Sequence, residues 1–530
     1  MWLASQQYGQ RRCGARGGGD TGEGPFEVIA AERGVRRGWG IRIQPRRSPQ
    51  HDHGKRAWCR EFRVGVTADD PDRVVKQVLV DVRGSDAIGV SAGREFDDFD
   101  DPMLRAAVHD VGVPQSSMLD RVVATEGEPQ RAASAWSMSG CQAISDPRCR
   151  VPTRLVHGVH ALISELDRRG AGLGADFAGD GLGLLAERAA ALLLGRSGRD
   201  SCNGVSRLVA TADGWLAVTL ARSEDRRLLP AWLGVDPNDR VVTTNANPWA
   251  VVERAVACRP SAELIEMAAL LGLACSAVGE QGDLRPVHVE ASEGTTPPSL
   301  SGLRVVNLGS LWAGPLCADV LRRLGADVVC VESLGRPDGA RATPRWFDAI
   351  HQGQRSVAID FETRHGRQSL WKLLASADVV IEGSRPRALE HLGVDALTLL
   401  ATERTAVWVS ITGYGRDAGS AMRVGMGDDA AAAGGLLDTV DGSPIFLLDA
   451  VADPITGLIA ATSVIDQLDA GQRALLDIAL SRSAALFAQR PGDPVVEMLG
   501  EARPARPRQP ASRPFTLGAE TTDVLTNWLA

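Results

Sequence analysis

Lysine is almost missing from this sequence: Lys55, Lys76 and Lys372 are the only three among 58 basic residues. Any phosphate or carboxylate in a site must therefore be met by arginine, whose planar fork suits the task, or by backbone N–H groups. No two of the nine cysteines stand at CxxC spacing. They read as reduced thiols, neither zinc ligands nor a disulfide frame. No uninterrupted apolar run approaches a membrane span, and the opening MWLASQQYGQRRCG has no apolar signal-peptide core, so a soluble, cytoplasmic protein is expected. A net charge of −8 gives no general pull towards nucleic acid or an anionic membrane. The loop SLWA between Gly309 and Gly314 carries neither a Gly-x-Gly-x-x-Gly fingerprint nor the Lys-Ser/Thr of a Walker loop.

What remains is an ordinary globular composition, 44% hydrophobic and 23% charged over 530 residues, long enough for more than one domain. Residues 1 to about 60 are rich in Arg and Gly without periodicity and are expected to be poorly ordered, with 1–127 as a whole resisting assignment. His51 and His53 have no third ligand spaced to join them in a metal site. Further on, VVKQVLVDV suggests a strand or short helix, DDPMLRAAVHDVG a helix, RLVHGVHALISELDRRG a helix stopped by Gly170, and RLVATADGWLAVTLAR two strands joined at Asp213-Gly214. The polar, Pro-Gly-punctuated stretch 279–302 reads as a linker.

After it the pattern sharpens. LRVVNLG, ADVVCVES, RSVAIDF, DVVIEGS and TAVWVSITGYG are apolar strand runs separated by helical segments such as GPLCADVLRRLG. Repeated βαβ units predict a parallel sheet covered by helices, with ligands lying beyond the carboxyl ends of its strands. Arg341, Arg355, Arg385 and Arg387 fall in or beside those loops, and several of them are expected to converge on one polyanionic ligand, the alternative being scattered surface arginines. The stretch RVGMGDDAAAAGGLL, 423–437, sets Asp428 and Asp429 at the start of a small-residue helix. Either acid caps the helix and complements its dipole, or one of them is a catalytic carboxylate.

Read in order, LSGLRVVNLGSLWAGPLCADVLRRLGADVVCVES, HQGQRSVAIDF, ADVVIEGSRPRALEHLGVD, VWVSITGYG and VADPITGLIAATSVIDQL resemble the class III CoA-transferase family, the CaiB/BaiF group that includes formyl-CoA transferase and α-methylacyl-CoA racemase. The tail FTLGAETTDVLTNWL is similar to that family's C-terminal segment. The resemblance implies an α/β fold: a Rossmann-like large domain with a parallel sheet, a smaller α+β domain, and two subunits interlocked as a homodimer. It also implies CoA transfer from an acyl-CoA to a small carboxylic acid through an aspartyl mixed anhydride and an aspartyl-CoA thioester. Coenzyme A is then a co-substrate, with no permanently bound cofactor and no metal. Alternatives inside and outside that chemistry are a 2-methylacyl-CoA racemase and a non-catalytic acyl-CoA-binding homologue.

Carried over residue by residue, the family nucleophile lies eight positions before the glycine matched by Gly435, which is Gly427 here. Asp428, one place on, is the expected nucleophile, re-aimed by an unusual backbone angle at Gly427, with Asp429 as the other candidate. Met426 stands where the racemase branch has a His, and Asp453 matches that branch's second acid. The resemblance assigns Leu311, Trp312 and Ala313 to the first CoA loop, Arg341 to a phosphate, Gln354 and Arg355 to the place of a family Lys, and Gly383, Ser384 and Arg385 to a segment that wraps the nucleotide. In the first half, ASAWSMSGCQAIS and LVHGVHALISELDRRG resemble the nucleophile helix and the helix after it. Ala132 aligns with Gly427, so 128–290 is expected to hold a truncated, catalytically silent copy plus a region like the family's small domain. The catalytic domain is expected over 298–490, with 491–530 as linker and C-terminal segment.

Overall fold

The computed structural model describes residues 127–235, 248–282, 285–292 and 300–529, together with the backbone of five strands between residues 26 and 89. His51, His53, the Arg-Gly-rich stretches outside those strands and the helix expected in DDPMLRAAVHDVG lie outside the described residues. The chain forms two compact units, 1–112 and 113–530. In the first, β1 (Phe26–Val28), β2 (Gly40–Arg46), β3 (Arg60–Thr67), β4 (Val78–Val82) and β5 (Ile88–Gly89) form an antiparallel meander in chain order. VVKQVLVDV thus supplies a strand, β4.

The second unit opens with helices α1 (Pro129–Ser139), α2 (Thr153–Arg168) and α3 (Glu187–Leu192). A small sheet follows, β6 (Ser206–Ala210), β7 (Trp215–Thr219) and β8 (Ala274–Ala277), paired antiparallel in that order. The Asp213-Gly214 turn joins β6 and β7 as the sequence implies. Val209, Leu216, Trp232, Val252 and Leu264 give this sheet and its helices a core of their own.

The main sheet has seven strands in the order β12-β11-β10-β13-β14-β17-β9. They are β9 (Val287–Ser292), β10 (Arg304–Asn307), β11 (Asp327–Ser333), β12 (Arg355–Ile359), β13 (Val379–Glu382), β14 (Val407–Thr412) and β17 (Arg473–Ala479). All neighbours are parallel except β9 against β17. Buried on both faces, the central strands are continuous Val and Ile runs, as a helix-covered parallel sheet requires. The stretch 279–302 therefore contains more than a linker: Val287–Ser292 forms an edge strand. Its largely exposed polar face hid it among loop residues.

Helices α4 (Ala313–Arg323), α5 (Gly427–Ala433), α6 (Ala452–Ala470) and α7 (Leu480–Phe487) cover one face, with the hairpin β15 (Leu437–Val440) and β16 (Ser443–Phe446) between α5 and α6. Helix α6 is buried on nearly every side, and where it crosses α4 a Cβ at Gly457 would fall 2.8 Å from the Ala313 carbonyl oxygen. Only glycine lets the two backbones approach so closely. Helices α1 and α2 join this same core, with α2 packed on α6. The first half is thus built into the wall of the main domain. On the other sheet face, Leu370, Leu373, Val380, Trp408 and Trp528 form a second layer.

Candidate active site

Helix α5 is short because glycines bound it: Gly427 opens it and Gly435, at φ +74°, turns the chain away. Gly427 itself has no left-handed backbone, so the expected unusual angle is not found. The glycine is required by space instead. A Cβ there would lie 2.6 Å from both Asp453 Oδ2 and the Ala450 carbonyl oxygen, closer than real Cβ contacts.

Asp428 and Asp429 are both buried, and every carboxyl oxygen is engaged. Asp428 Oδ1 accepts the Ala450 N–H at 2.9 Å and its Oδ2 accepts the Ser206 hydroxyl at 2.8 Å. Asp429 Oδ1 accepts the Met426 N–H at 2.9 Å and the Thr219 hydroxyl at 3.1 Å, while Oδ2 accepts the Tyr414 hydroxyl at 2.6 Å. The bond to Met426 makes Asp429 the third helical residue reaching back to the N–H of the N-cap, Met426, rather than the N-cap itself. Ser276 adds a hydroxyl donated to the Asp429 carbonyl at 2.7 Å. Ser206, Thr219 and Ser276 all belong to the small sheet, so residues 153 to 222 positions upstream hold the acids in place.

Two more acids complete the cluster. Asp449, fully buried, accepts from Arg188 Nη1 at 2.6 Å, and its Oδ1 has no partner. Asp453, in the first turn of α6, has no hydrogen bond to its carboxyl oxygens among the described residues, and it is partly exposed. Burial pushes Asp428 up to about 6, with the Asp449 charge adding to it and the Ser206 and Ala450 hydrogen bonds opposing. Burial likewise pushes Asp429 and Asp453 up to about 7, although Tyr414 and Met426 favour the charged form of the first and Arg188 that of the second. Asp449 is raised by burial against the same arginine. Arg188 comes from α3 and stands 5.9 Å from the centre of the Trp312 ring.

The other expected residues divide between the two ends of the sheet. Leu311, Trp312, Ala313, Gly383, Ser384 and Arg385 follow β10 and β13 at the carboxyl edge. Leu311 is exposed, has φ +65°, and donates its N–H to Asp338 at 3.0 Å. Trp312 is buried edge-on against Trp346 at 5.3 Å, and Ala313 opens α4. A Cβ on Gly383 would be 3.9 Å from Gly309, and Ser384 N–H is held by Glu382 at 2.8 Å. Arg385 is exposed and points towards Gly272, just after the helix Ser261–Leu271. Arg341 lies in the loop after β11, but its donors go to Glu332 and, at 2.9 Å, to the Phe515 carbonyl. Gln354 is buried and Arg355 begins β12 at the opposite, amino end of the sheet, where it pairs with Asp327 and sits 5.2 Å from the centre of the Trp528 ring. The four arginines therefore do not all converge: Arg355 stands at the opposite end of the sheet, and the donors of Arg341 are taken up by Glu332 and Phe515. Sequence reading missed Arg188, Ser206, Thr219, Ser276 and Asp449.

A groove of about 520 Å³ runs between the helix Ser261–Leu271 and the loop 419–423. Arg423 borders it and stacks 3.7 Å from the centre of the Tyr414 ring, whose hydroxyl meets Asp429.

Residues 300–516 match the family model for CoA-transferase family III. Among curated proteins, a succinate–glutarate CoA-transferase of Agrobacterium fabrum is 30% identical over 204 residues, covering 34% of this chain and 51% of the relative. An acyl-CoA transferase of Fusarium pseudograminearum is 28% identical over 201 residues, covering 34% and 44%. A solved CAIB/BAIF family protein from Brucella suis shares 33% identity, with 36% of this chain and 55% of that one covered and a TM-score of 0.32. The chain spans about half the length of the curated relatives it matches. Its segment 300–516 belongs to CoA-transferase family III.

Proposed function

We propose that this chain is an enzyme that transfers CoA between an acyl-CoA thioester and a carboxylic acid by way of an aspartyl carboxylate. The observation that carries the reading is the gathering of Asp428, Asp429, Asp449 and Asp453 within the family III segment, beside the helix that starts at the Trp312 loop. A carboxylate held away from bulk water and above its ordinary pKa keeps nucleophilicity that a fully hydrated one lacks. Relatives named for succinate–glutarate, succinyl-CoA–D-citramalate and formyl-CoA–oxalate transfer make short dicarboxylates the acceptor class to try first.

In this reading the carboxylate attacks the thioester carbonyl, forming a C–O bond and releasing CoA thiolate. The thiolate returns to the aspartyl carbonyl, giving an aspartyl-CoA thioester and the free donor acid. The acceptor carboxylate repeats the two steps in reverse and restores the aspartate. By register Asp428 is the acid nearest the family nucleophile, and Leu311, Ala313, Gly383, Ser384 and Arg385 supply the carboxyl-edge loops for CoA. The first half, through Arg188, Ser206, Thr219 and Ser276, supports the acids from within the same chain.

Gly427 at the nucleophile's register favours one second reading, a non-catalytic acyl-CoA-binding protein. Hydroxylamine trapping separates the two. Incubation of the full chain with succinyl-CoA and hydroxylamine yields an aspartyl hydroxamate if CoA is transferred, and unmodified protein that still binds acyl-CoA if it is not. Exchange of an α-proton in deuterated water without any hydroxamate would instead mark a racemase.

A further inference from the structure

The segment that leads from β16 into α6 is gripped by the first half of the chain along its length. The Phe446 N–H is donated to the Gly198 carbonyl at 2.8 Å, and the hydroxyls of Ser145 and Ser197 stand 2.9 and 3.1 Å from the Leu447 carbonyl. Arg188 makes the last contact, from Nη1 to the fully buried Asp449 at 2.6 Å. One residue on, Ala450 has φ +43°, a left-handed backbone that alanine adopts only where its surroundings impose it. That strained residue meets the acid cluster on several sides. Its N–H is donated to Asp428 Oδ1 at 2.9 Å, and its carbonyl accepts the Asp453 N–H at 2.9 Å. The same carbonyl oxygen lies 2.6 Å from where a Cβ on Gly427 would stand. A shift of the 449–450 turn would therefore displace a donor to Asp428 and the start of α6 together.

Arg188 is itself held firmly. Its neighbour Glu187 accepts two hydrogen bonds from Arg508, at 2.7 and 2.8 Å, and Arg508 also reaches Asp319 of α4 at 3.1 Å. The short helix α3 is thereby tied to the main domain and to the C-terminal segment: Glu187 anchors it, and Arg188 reaches from it to the acid turn. Asp449 Oδ1 has no partner, so Arg188 is the one donor to that carboxyl among the described residues. We infer that Arg188 is a positioning residue for CoA transfer: through Asp449 it holds the strained Ala450 turn, and with it the acid cluster, in the reactive arrangement. This rests on the CoA-transfer reading. The first half then takes part in turnover as a brace, without supplying a reacting group. Loss of the brace slows the chemical step and leaves substrate binding in place.

The test compares full-length wild type, Arg188→Lys and Arg188→Met for CoA exchange from succinyl-CoA into labelled glutarate, with rates scaled to the folded fraction from circular dichroism. The inference expects kcat to fall about tenfold or more in Arg188→Met and about threefold or more in Arg188→Lys, which keeps a cation opposite Asp449. KM for succinyl-CoA should stay within about twofold in both. Adding Ala450→Gly, which takes the left-handed angle without strain, should recover about threefold of the loss in kcat. A general loosening of the fold would not be repaired by a glycine in that turn. Wild-type kcat in both variants, a loss confined to KM, or no recovery with Ala450→Gly overturns the inference and leaves CoA transfer standing. No exchange by the wild-type chain overturns both. Should Arg188→Met fail to fold, Arg188→Lys with and without Ala450→Gly decides.

Discussion

Arg188→Met removes the guanidinium that Asp449 touches at 2.6 Å and leaves that fully buried carboxyl beside Asp428 and Asp453. Asp449 already has one oxygen without a partner, so no other donor in place can take over. Breaking a buried ion pair by deleting one member typically costs about 3–5 kcal/mol. The loss should depend on pH. Burial raises Asp449 above its ordinary value even with the arginine present, and without it the native state holds the proton more firmly than the unfolded chain does. A raised pKa contributes stability at low pH that is lost as pH rises through the folded value. Urea unfolding of Arg188→Met should therefore show the full penalty near about pH 8 and a smaller one near about pH 5. Asp449→Asn in the same background should recover most of it at the higher pH, since the orphaned charge is gone. A penalty below about 1 kcal/mol at about pH 8, or one that Asp449→Asn fails to relieve, would refute the view that Arg188 neutralises the acid cluster.

Three other outcomes follow from the same geometry. Asp453→Asn should stabilise the protein at about pH 8 relative to about pH 4, on the order of 1–4 kcal/mol, because the wild-type acid is raised to about 7 and its ionisation weakens the fold across that window; thermal melts against pH check this. Ser206→Ala takes away one of the two donors to Asp428 and should cost about 1–3 kcal/mol in urea unfolding. Arg508 is buried with Glu187 and Asp319 and binds the C-terminal segment to both halves, so Arg508→Met should cost about 3–5 kcal/mol and expose residues 500–515 to limited proteolysis.

The parallel sheet could be read from sequence because its strands are buried on both faces and stand out as apolar runs between helices. β17 escaped because RALLDIA continues directly into α7, so strand and helix form one apolar stretch without a break. β9 escaped for the opposite reason, its polar exposed face. The paired acids were visible as residues, and Asp429 does reach back to the N-cap N–H of its helix. Their environment was not visible. Ser206, Thr219 and Ser276 look like ordinary hydroxyls on amphipathic strands, and Arg188 in LLAERAAALLLG looks like a charge on a helix surface. Only the packing of the first half into the main core brings them to the acids. Gly427 shows the same limit: sequence offered a backbone explanation, and the structure supplies a steric one.

The most direct test of the account is transfer itself. The full chain is mixed with succinyl-CoA and an isotope-labelled short dicarboxylic acid, and the thioester pool is analysed with time. The account predicts label appearing as a new acyl-CoA in proportion to succinate released, with free CoA staying low. Unlabelled thioester after prolonged incubation across the dicarboxylates, with acyl-CoA still bound, would contradict it.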